Sequence, residues 1–454
     1  MEPPASRMDG PPRPGRRAAA GIRARTAHGV SPARACAYTV IRRVFEQGAY
    51  ADRAMHAEAG AAALEGRARA QATALAYTTV QRAGTLDHVA AELCERPLER
   101  LDAPVLAALR LGLSQLLLLD GVATHAAVNE SVALAKGSSH GGAGLVNAVL
   151  RRAAREGRAL LDGLADATPE DAAVKHSVPP WLARMWWREL GPARARALLT
   201  SVNRPPESAV RVNTLLADPA AAAAALGVPA RPAPGIPEGL VLEGPFDAHG
   251  SPQWARGELM PQSRASMAVA RALAPLPGER VLDLCAAPGA KTTHLAALIG
   301  GGDGLVAVER HPGRARALGA TLDRMRVRGA ELTVGDAAGL AFAQPFDRVL
   351  VDPPCSGLGT LQSRPDLRWR CSEDRIARLA DAQRRILAGG AAATRPGGAL
   401  VYSVCTISAA ESDGILDEFL AARPDWSCDS RRQLAPDIDG TDGFFIARLR
   451  REGR

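Results

Sequence analysis

The chain has 454 residues, 47% hydrophobic and 23% charged, with 56 Lys+Arg against 48 Asp+Glu and a net charge of +8. These figures exclude a disulfide-rich miniprotein and a wholly disordered chain, and the length predicts two to four domains, each able to bury its own core. The positive excess points to an acidic partner such as nucleic acid, but only in so far as it lies outside the tail. Residues 1–30 are rich in Pro, Gly, Arg and Ala and lack a core-forming pattern, so a disordered basic tail is expected there. The first 34 residues hold seven arginines and only Glu2 and Asp9 as acids, so much of the excess belongs to this segment. No apolar region follows those arginines, and no stretch reaches the ~18 apolar residues of a membrane span. The seven cysteines, Cys36, Cys94, Cys285, Cys355, Cys371, Cys405 and Cys428, form no CxxC pair. An odd, irregular set predicts reduced thiols in a cytoplasmic protein with no zinc site.

From residue 31 to 165 the pattern is helical, with Ala and Leu at i, i+3, i+4 spacing, and it predicts five helices. Ser31 followed by Pro32 reads as a helix start, and Pro97 and Pro104 punctuate the middle. The runs HAAVNESVALAK (125–136) and GLVNAVLRR (144–152) resemble the NusB-like all-α RNA-binding fold; a plain helical adaptor is the competing reading. Residues 160–171 are acidic and loosely patterned, as a linker would be. From 172 to 257 the texture changes to a small α+β module, with short helices, an isolated strand over 208–215 and a Pro/Gly-rich run from 229 to 245. Trp181, Trp186 and Trp187 suit core packing better than base stacking.

From 258 to 454 strand and helix alternate. Apolar runs at 281–284, 305–309, 331–334, 348–351 and 399–404 suit buried parallel strands, and 444–449 supplies a late strand. The fold class expected is multidomain, ending in an α/β doubly wound, class I Rossmann-like domain with ligands at the carboxyl ends of its strands.

The run VLDLCAAPGAKTT is a strand, a turn of small residues and a helix start, where backbone and helix N-terminus can receive an anion. It is not a P-loop, since Cys285 and Ala290 stand where glycines are required, and no G-x-G-x-x-G is present. Acids follow at two strand ends: Glu309 suits ribose hydroxyls and Asp336 an adenine amino group. A turn for a carboxylate followed by two acids for a nucleoside is the layout for S-adenosylmethionine. The fourth strand ends in Asp352-Pro353-Pro354-Cys355 and the fifth in Ser403-Val404-Cys405, and in a doubly wound order these strands are neighbours. Two thiols beside a methyl donor have a specific use. Carbon 5 of cytosine becomes nucleophilic once a thiolate adds at carbon 6, and a second group can help expel the sulfur afterwards. Asp352 can hold the N3/N4 edge of the base.

The segments CAAPGAKTTHLAAL, VDPPCSGLGTLQSRPDLRW and LVYSVCTISAAESDGIL resemble the signatures of the RNA cytosine-5 methyltransferases of the bacterial Sun/Fmu type. With the NusB-like front half the resemblance covers residues 31–450. It implies a monomer acting on RNA, 16S ribosomal RNA in particular, with no DNA or membrane partner. It also implies that Cys405 is the nucleophile and that Cys355 assists product release. The cofactor contacts it implies are Cys285, Ala286, Ala287, Pro288, Gly289, Ala290, Lys291, Glu309, Asp336 and Asp352. Three positions depart from the family pattern: Ala290 for glycine, Val404 for threonine, and Ser263 for the aspartate of Gln-Asp. A non-catalytic ribosome-assembly factor and a tRNA cytosine-5 methyltransferase are the alternatives. An amino-group methyltransferase would want an aromatic residue where Cys355 stands.

Overall fold

A computed structural model of the chain describes residues 29–136 and 142–453. The basic tail expected over 1–30 lies outside these residues apart from Gly29 and Val30. Packing divides the chain into two units. The first comprises residues up to Arg184 together with the heptapeptide Arg364–Arg370, and the second comprises Met185–Ser363 with Cys371–Arg454.

Over residues 31–165, the described residues form seven α-helices where the periodicity predicts five: α1 (Pro32–Gln47), α2 (Ala51–Ala61), α3 (Gly66–Gln81), α4 (Ala83–Leu93), α5 (Ala103–Leu117), α6 (Thr124–Lys136) and α7 (Gly142–Asp162). The additional breaks contain no proline. Gly48 ends α1 at φ +62°, and Arg82 alone separates α3 from α4 at φ −100°, ψ 12°. Breaks this short leave the apolar spacing intact, so periodicity reads through them. Ser31 occupies the N-cap of α1 without capping through its hydroxyl. Its N–H and its Oγ both donate to Glu130 Oε2 at 2.8 Å, and Arg34 Nη1 donates to Glu130 Oε1 at 2.8 Å. Glu130, from the Asn-Glu run of α6, therefore fixes where α1 begins. Leu86, Leu109, Leu111 and Leu150 are fully buried in the core of this unit, each worth roughly 1.5–3 kcal/mol.

α7 continues through Asp162, so the linker expected over 160–171 shortens to a loop before α8 (Pro169–His176), capped by Thr168. The heptapeptide packs in this unit as well. Arg368, fully buried, donates from Nη1 to the carbonyls of Gln81 (3.1 Å) and Ser177 (3.0 Å), and Trp369 Nε1 donates to Val80 O at 2.7 Å. Two of these acceptors are carbonyls at the end of α3, which no helical N–H reaches.

α9 (Pro180–Leu190) carries the chain into the second unit, followed by α10 (Pro192–Ser201). Trp186 is fully buried and donates to Ile407 O at 2.8 Å, the core role expected of it. The strand expected to stand alone is instead part of a four-stranded antiparallel sheet. β1 (Ala209–Val212) precedes α11 (Pro219–Ala224), β2 (Ala230–Ala233), β3 (Ile236–Leu242) and β4 (Leu259–Pro261), in the order β2-β3-β1-β4. The Pro/Gly-rich run thus makes a hairpin. Pro232 is tolerated because β2 is an edge strand, and Gly235 turns the chain at φ +72°.

After α12 (Arg264–Leu273) the large sheet begins: β5 (Val281–Asp283), α13 (Ala290–Ile299), β6 (Leu305–Glu309), α14 (Pro312–Arg324), β7 (Glu331–Val334), β8 (Phe346–Val351), α15 (Glu373–Ala393), β9 (Thr394–Val404), α16 (Asp413–Ala422), β10 (Trp426–Leu434) and β11 (Phe444–Arg451). The order is β10-β11-β9-β8-β5-β6-β7, with β11 antiparallel to β9 and the five strands from β9 to β7 parallel. This is the doubly wound sheet expected. Alternate residues feed opposite cores, as the two-residue period of a strand requires. Val281, Leu305, Leu350 and Val401 face α12, α13 and α14, whereas Leu282, Val306, Val349 and Leu400 face α15 and α16. The sequence reading missed β10, whose middle is polar and exposed and which forms the sheet edge. Among the described residues no helix is long and apolar enough to cross a membrane.

Candidate active site

Strand register builds the site. β5 lies between β6 and β8, with Asp283 level with Ala307 and Leu350. The ladder continues into the turn, where Leu284 N donates to Leu350 O at 3.0 Å and Ala286 N to Val308 O at 2.9 Å. Cys285, Ala286, Ala287 and Pro288 follow, with a cis Ala287–Pro288 peptide, and Gly289 sits at φ +109°. A Cβ on Gly289 would come within 2.9 Å of Leu318 Cδ1, so backbone conformation and packing both demand glycine. Ala290 needs no such exemption: it is the first residue of α13 and does not have a positive φ.

Asp283, which the sequence reading passed over, is buried beneath this turn. Its Oδ2 accepts from Thr292 Oγ1 at 2.7 Å, while its buried Oδ1 has no partner among the described residues. Burial pushes its carboxyl up to about 7, and the neighbouring Asp352 adds to the rise while Thr292 and Lys291 oppose it. Burial also holds the Cys285 thiol well above its ordinary range, reinforced by Asp283, Asp352 and Glu309.

Glu309 ends β6 and is almost fully buried. Its Oε1 accepts from His311 N at 2.9 Å, and Oε2 lies 3.5 Å from Arg314, which also donates to Ala287 O. Asp336 follows β7 and is exposed, with Oδ1 accepting from Ala338 N at 3.2 Å. Both acids stand at the carboxyl edge of adjacent strands, since Glu309 pairs in register with Val334.

β8 and β9 are parallel neighbours with Val351 level with Tyr402, which sets Asp352 beside Ser403. Ser403 Oγ donates to Asp352 Oδ1 at 2.8 Å, and Lys291 Nζ donates to Oδ2 at 2.8 Å. Burial works against the Lys291 ammonium, but Asp352, Cys405 and Asp283 together raise its pKa above the ordinary value. The ammonium also lies 5.0 Å from the ring centroid of Phe444. Cys405 directly follows β9 and Cys355 lies four residues past the end of β8, and their Sγ atoms are 3.1 Å apart. The hydrogen bond with Cys405, burial, and the carboxyl groups of Glu411 and Asp352 raise the Cys355 thiol well above its usual range.

Beneath the sulfurs, Ser356 and Thr406, each the residue after a cysteine, meet at 2.7 Å and both contact the buried Glu411. Val404 is fully buried in the apolar core beside β9. Ser263 keeps the helix-start contact that its departure from the family pattern put in question, because its hydroxyl accepts from Ser266 N at 3.4 Å.

Comparison with known proteins agrees with this architecture. The profile of the family described as 16S rRNA methyltransferase RsmB/F matches residues 270–450, that of the NusB family residues 31–155, and that of the RsmF/B-like ferredoxin-like domain residues 178–249. The chain is 33% identical to the probable ribosomal RNA small subunit methyltransferase B of Synechocystis sp. over 92% of its own length and 99% of that protein. It is 36% identical to the ribosomal RNA small subunit methyltransferase B of Thermus thermophilus, over 85% of the chain and 89% of the relative. The crystal structure of PH0851 superposes with a TM-score of 0.78 at 26% identity, covering 92% of the chain and 99% of that structure.

Proposed function

The chain belongs to the 16S rRNA methyltransferase RsmB/F family of S-adenosylmethionine-dependent RNA methyltransferases, and from that premise we propose that it methylates carbon 5 of a cytosine in 16S ribosomal RNA through a covalent cysteine adduct. The observation that carries the reading is the pair of thiols 3.1 Å apart at the ends of adjacent parallel strands, beside Asp352 and Lys291.

The strand–turn–helix around Asp283 fits S-adenosylmethionine. The N-terminus of α13 suits the methionine carboxylate, the unpartnered Asp283 Oδ1 its ammonium, and Glu309 and Asp336 the ribose and adenine. Cys285, Ala286, Ala287, Pro288, Gly289, Ala290 and Lys291 form the wall of that subsite. When bound, this group supplies an electrophilic methyl on its sulfonium.

The chain's own groups do the rest. The sulfur of Cys405, in the field of the Lys291 ammonium, adds as thiolate to carbon 6 while N3 takes up a proton from water, which Asp352 at the N3/N4 edge of the base favours, so that negative charge does not build up on the ring. Carbon 5 then takes the methyl group. Water takes the carbon-5 proton, the electron pair of that bond restores the 5,6 double bond, and the carbon 6–sulfur bond breaks with its pair returning to Cys405; the proton held at N3 then leaves to solvent. Cys355, held as a thiol against that sulfur, assists the departure by hydrogen bonding. The helical first unit and the four-stranded sheet would dock the RNA.

Cys355→Ala is expected to accumulate a protein–RNA adduct that survives denaturing electrophoresis, and Cys405→Ala to form none. Bisulfite sequencing of ribosomal RNA from a deletion strain should lose one 5-methylcytosine. A double variant that still methylates its RNA would remove the mechanism.

A further inference from the structure

Glu411 lies on a single 3-10 turn (Ala409–Glu411) after β9 and is fully buried. Its carboxyl group receives four contacts from neutral groups. Oε1 accepts from Ser356 N at 2.8 Å and from Gln383 Nε2 at 3.1 Å; Oε2 accepts from Ser356 Oγ and from Thr406 Oγ1, the latter at 3.0 Å. Among the described residues it makes no ion pair. Burying a carboxyl group without a countercharge is unfavourable unless its oxygens are fully satisfied, and every donor here has a bearing on the thiol loops. Ser356 follows Cys355 and Thr406 follows Cys405. Gln383 uses the same Nε2 to hold Pro354 O at 2.9 Å, one residue before Cys355. Tyr402, three residues before Cys405, donates to the Glu411 carbonyl at 2.8 Å. One side chain thus ties the residues flanking both sulfurs, which come from different strands and are otherwise 50 residues apart.

We infer that Glu411 is a positioning residue that sets the spacing of Cys355 and Cys405 and so synchronises addition and release. This rests on the two-thiol reading above. Glu411 touches neither sulfur, and its effect passes through Ser356 and Thr406. A loop shift of about 1 Å is enough to cost about 100-fold in a reaction that depends on near-attack geometry.

The test uses the full chain with Glu411→Ala and Glu411→Gln. Glu411→Gln keeps the shape, and its amide can donate to the two hydroxyls that the carboxyl group accepts from. Three quantities are measured: kcat and KM on the RNA substrate, the calorimetric Kd for S-adenosylmethionine, and the equilibrium constant for closing the Cys355–Cys405 disulfide. The last is read by mass spectrometry in glutathione buffers, where two thiols and oxidised glutathione yield the disulfide and two reduced glutathiones. Glu411→Ala is expected to lower kcat by about 100-fold at unchanged KM and unchanged cofactor Kd, and to lower the disulfide constant by about ten-fold. Glu411→Gln is expected to recover most of both. A Glu411→Ala protein with wild-type kcat or a wild-type disulfide constant overturns the inference. If Glu411→Ala does not fold, Thr406→Val removes a single tie; it should move the same two quantities in the same direction, and unchanged values overturn the inference equally.

The disulfide constant reports spacing whatever reaction the enzyme performs. Wild-type enzyme that turns over without forming an adduct on RNA containing 5-fluorocytidine, whose carbon 5 has no proton to lose, would instead remove the covalent reading itself.

Discussion

At Asp283, burial in the first place and the neighbouring Asp352 in the second raise an ordinary carboxyl group toward neutrality. Unfolded, it titrates near ~3.9, whereas in the fold it is pushed up to about 7, first by burial. Between these values the native state keeps a proton that the unfolded chain has lost. Its contribution to stability is therefore complete below the unfolded value and is lost as pH rises through the folded one. Asp283→Asn, which can still accept from Thr292, should flatten this slope. Urea midpoints of the two proteins should diverge in favour of the variant from pH 4 to 8, by at most a few kcal/mol on the order set by the shift; parallel curves would count against a raised carboxyl. The sequence offered one clue to this residue, an acid closing the apolar strand VLD. The clue went unused because the expected strand, 281–284, runs past Asp283, whereas Glu309 and Asp336 each stand at a strand end. Glu411 offered no clue at all, since its importance arises only when a 3-10 turn brings it between two loops. Cys355, Cys405 and Asp352 were legible because Asp352 and Cys405 directly follow β8 and β9 and Cys355 lies in the loop just after β8, and strand neighbourhood follows from the doubly wound order.

At the scale of elements, the strand–turn–helix around Gly289 carries the strictest backbone demand in the site. Gly289→Ala would force a Cβ into a φ of +109° and against Leu318 and Thr321, a strain of about 1–3 kcal/mol. The melting temperature should fall and the Kd for S-adenosylmethionine should rise together. A loss of stability with an intact Kd would mean that the turn serves the fold and not the ligand. The parallel strand β6 matches the residues expected of it because a strand buried along its whole length has an apolar signature; β7, at the other sheet edge, buries none of its residues and was found from Leu332 and Val334 alone. β10 escaped notice because an edge strand need bury only its ends, here Trp426 and Leu434. The hairpin of β2 and β3 escaped because Pro and Gly, read as loop formers, are admissible on an edge and in a turn. In the helical unit the apolar spacing was right and the count was not, since a single non-helical residue such as Arg82 divides a helix without disturbing its face.

At the scale of the molecule, the relatives match nearly from end to end, so the helical first unit and the sheet-bearing second belong together in this family and not only in this chain. The heptapeptide Arg364–Arg370 gives that pairing a physical content. Its first six residues close the signature run that ends in Asp366-Leu367-Arg368-Trp369, yet it packs in the first unit, on carbonyls of α3 and on Ser177. The first unit is therefore discontinuous in sequence, and the chain passes between the units three times instead of once. The two halves are consequently not interchangeable parts. A fragment ending at Arg184 lacks the donors for Val80 and Gln81, and each buried carbonyl left without a partner costs about 1–3 kcal/mol. Hydrogen exchange at the end of α3 should accelerate in that fragment, and Arg368→Ala in the full chain should reproduce the change; equal protection in all three proteins would show that the first unit stands alone. Recombination that exchanged one half of this protein for a distant relative's would have to carry seven residues from the other half with it.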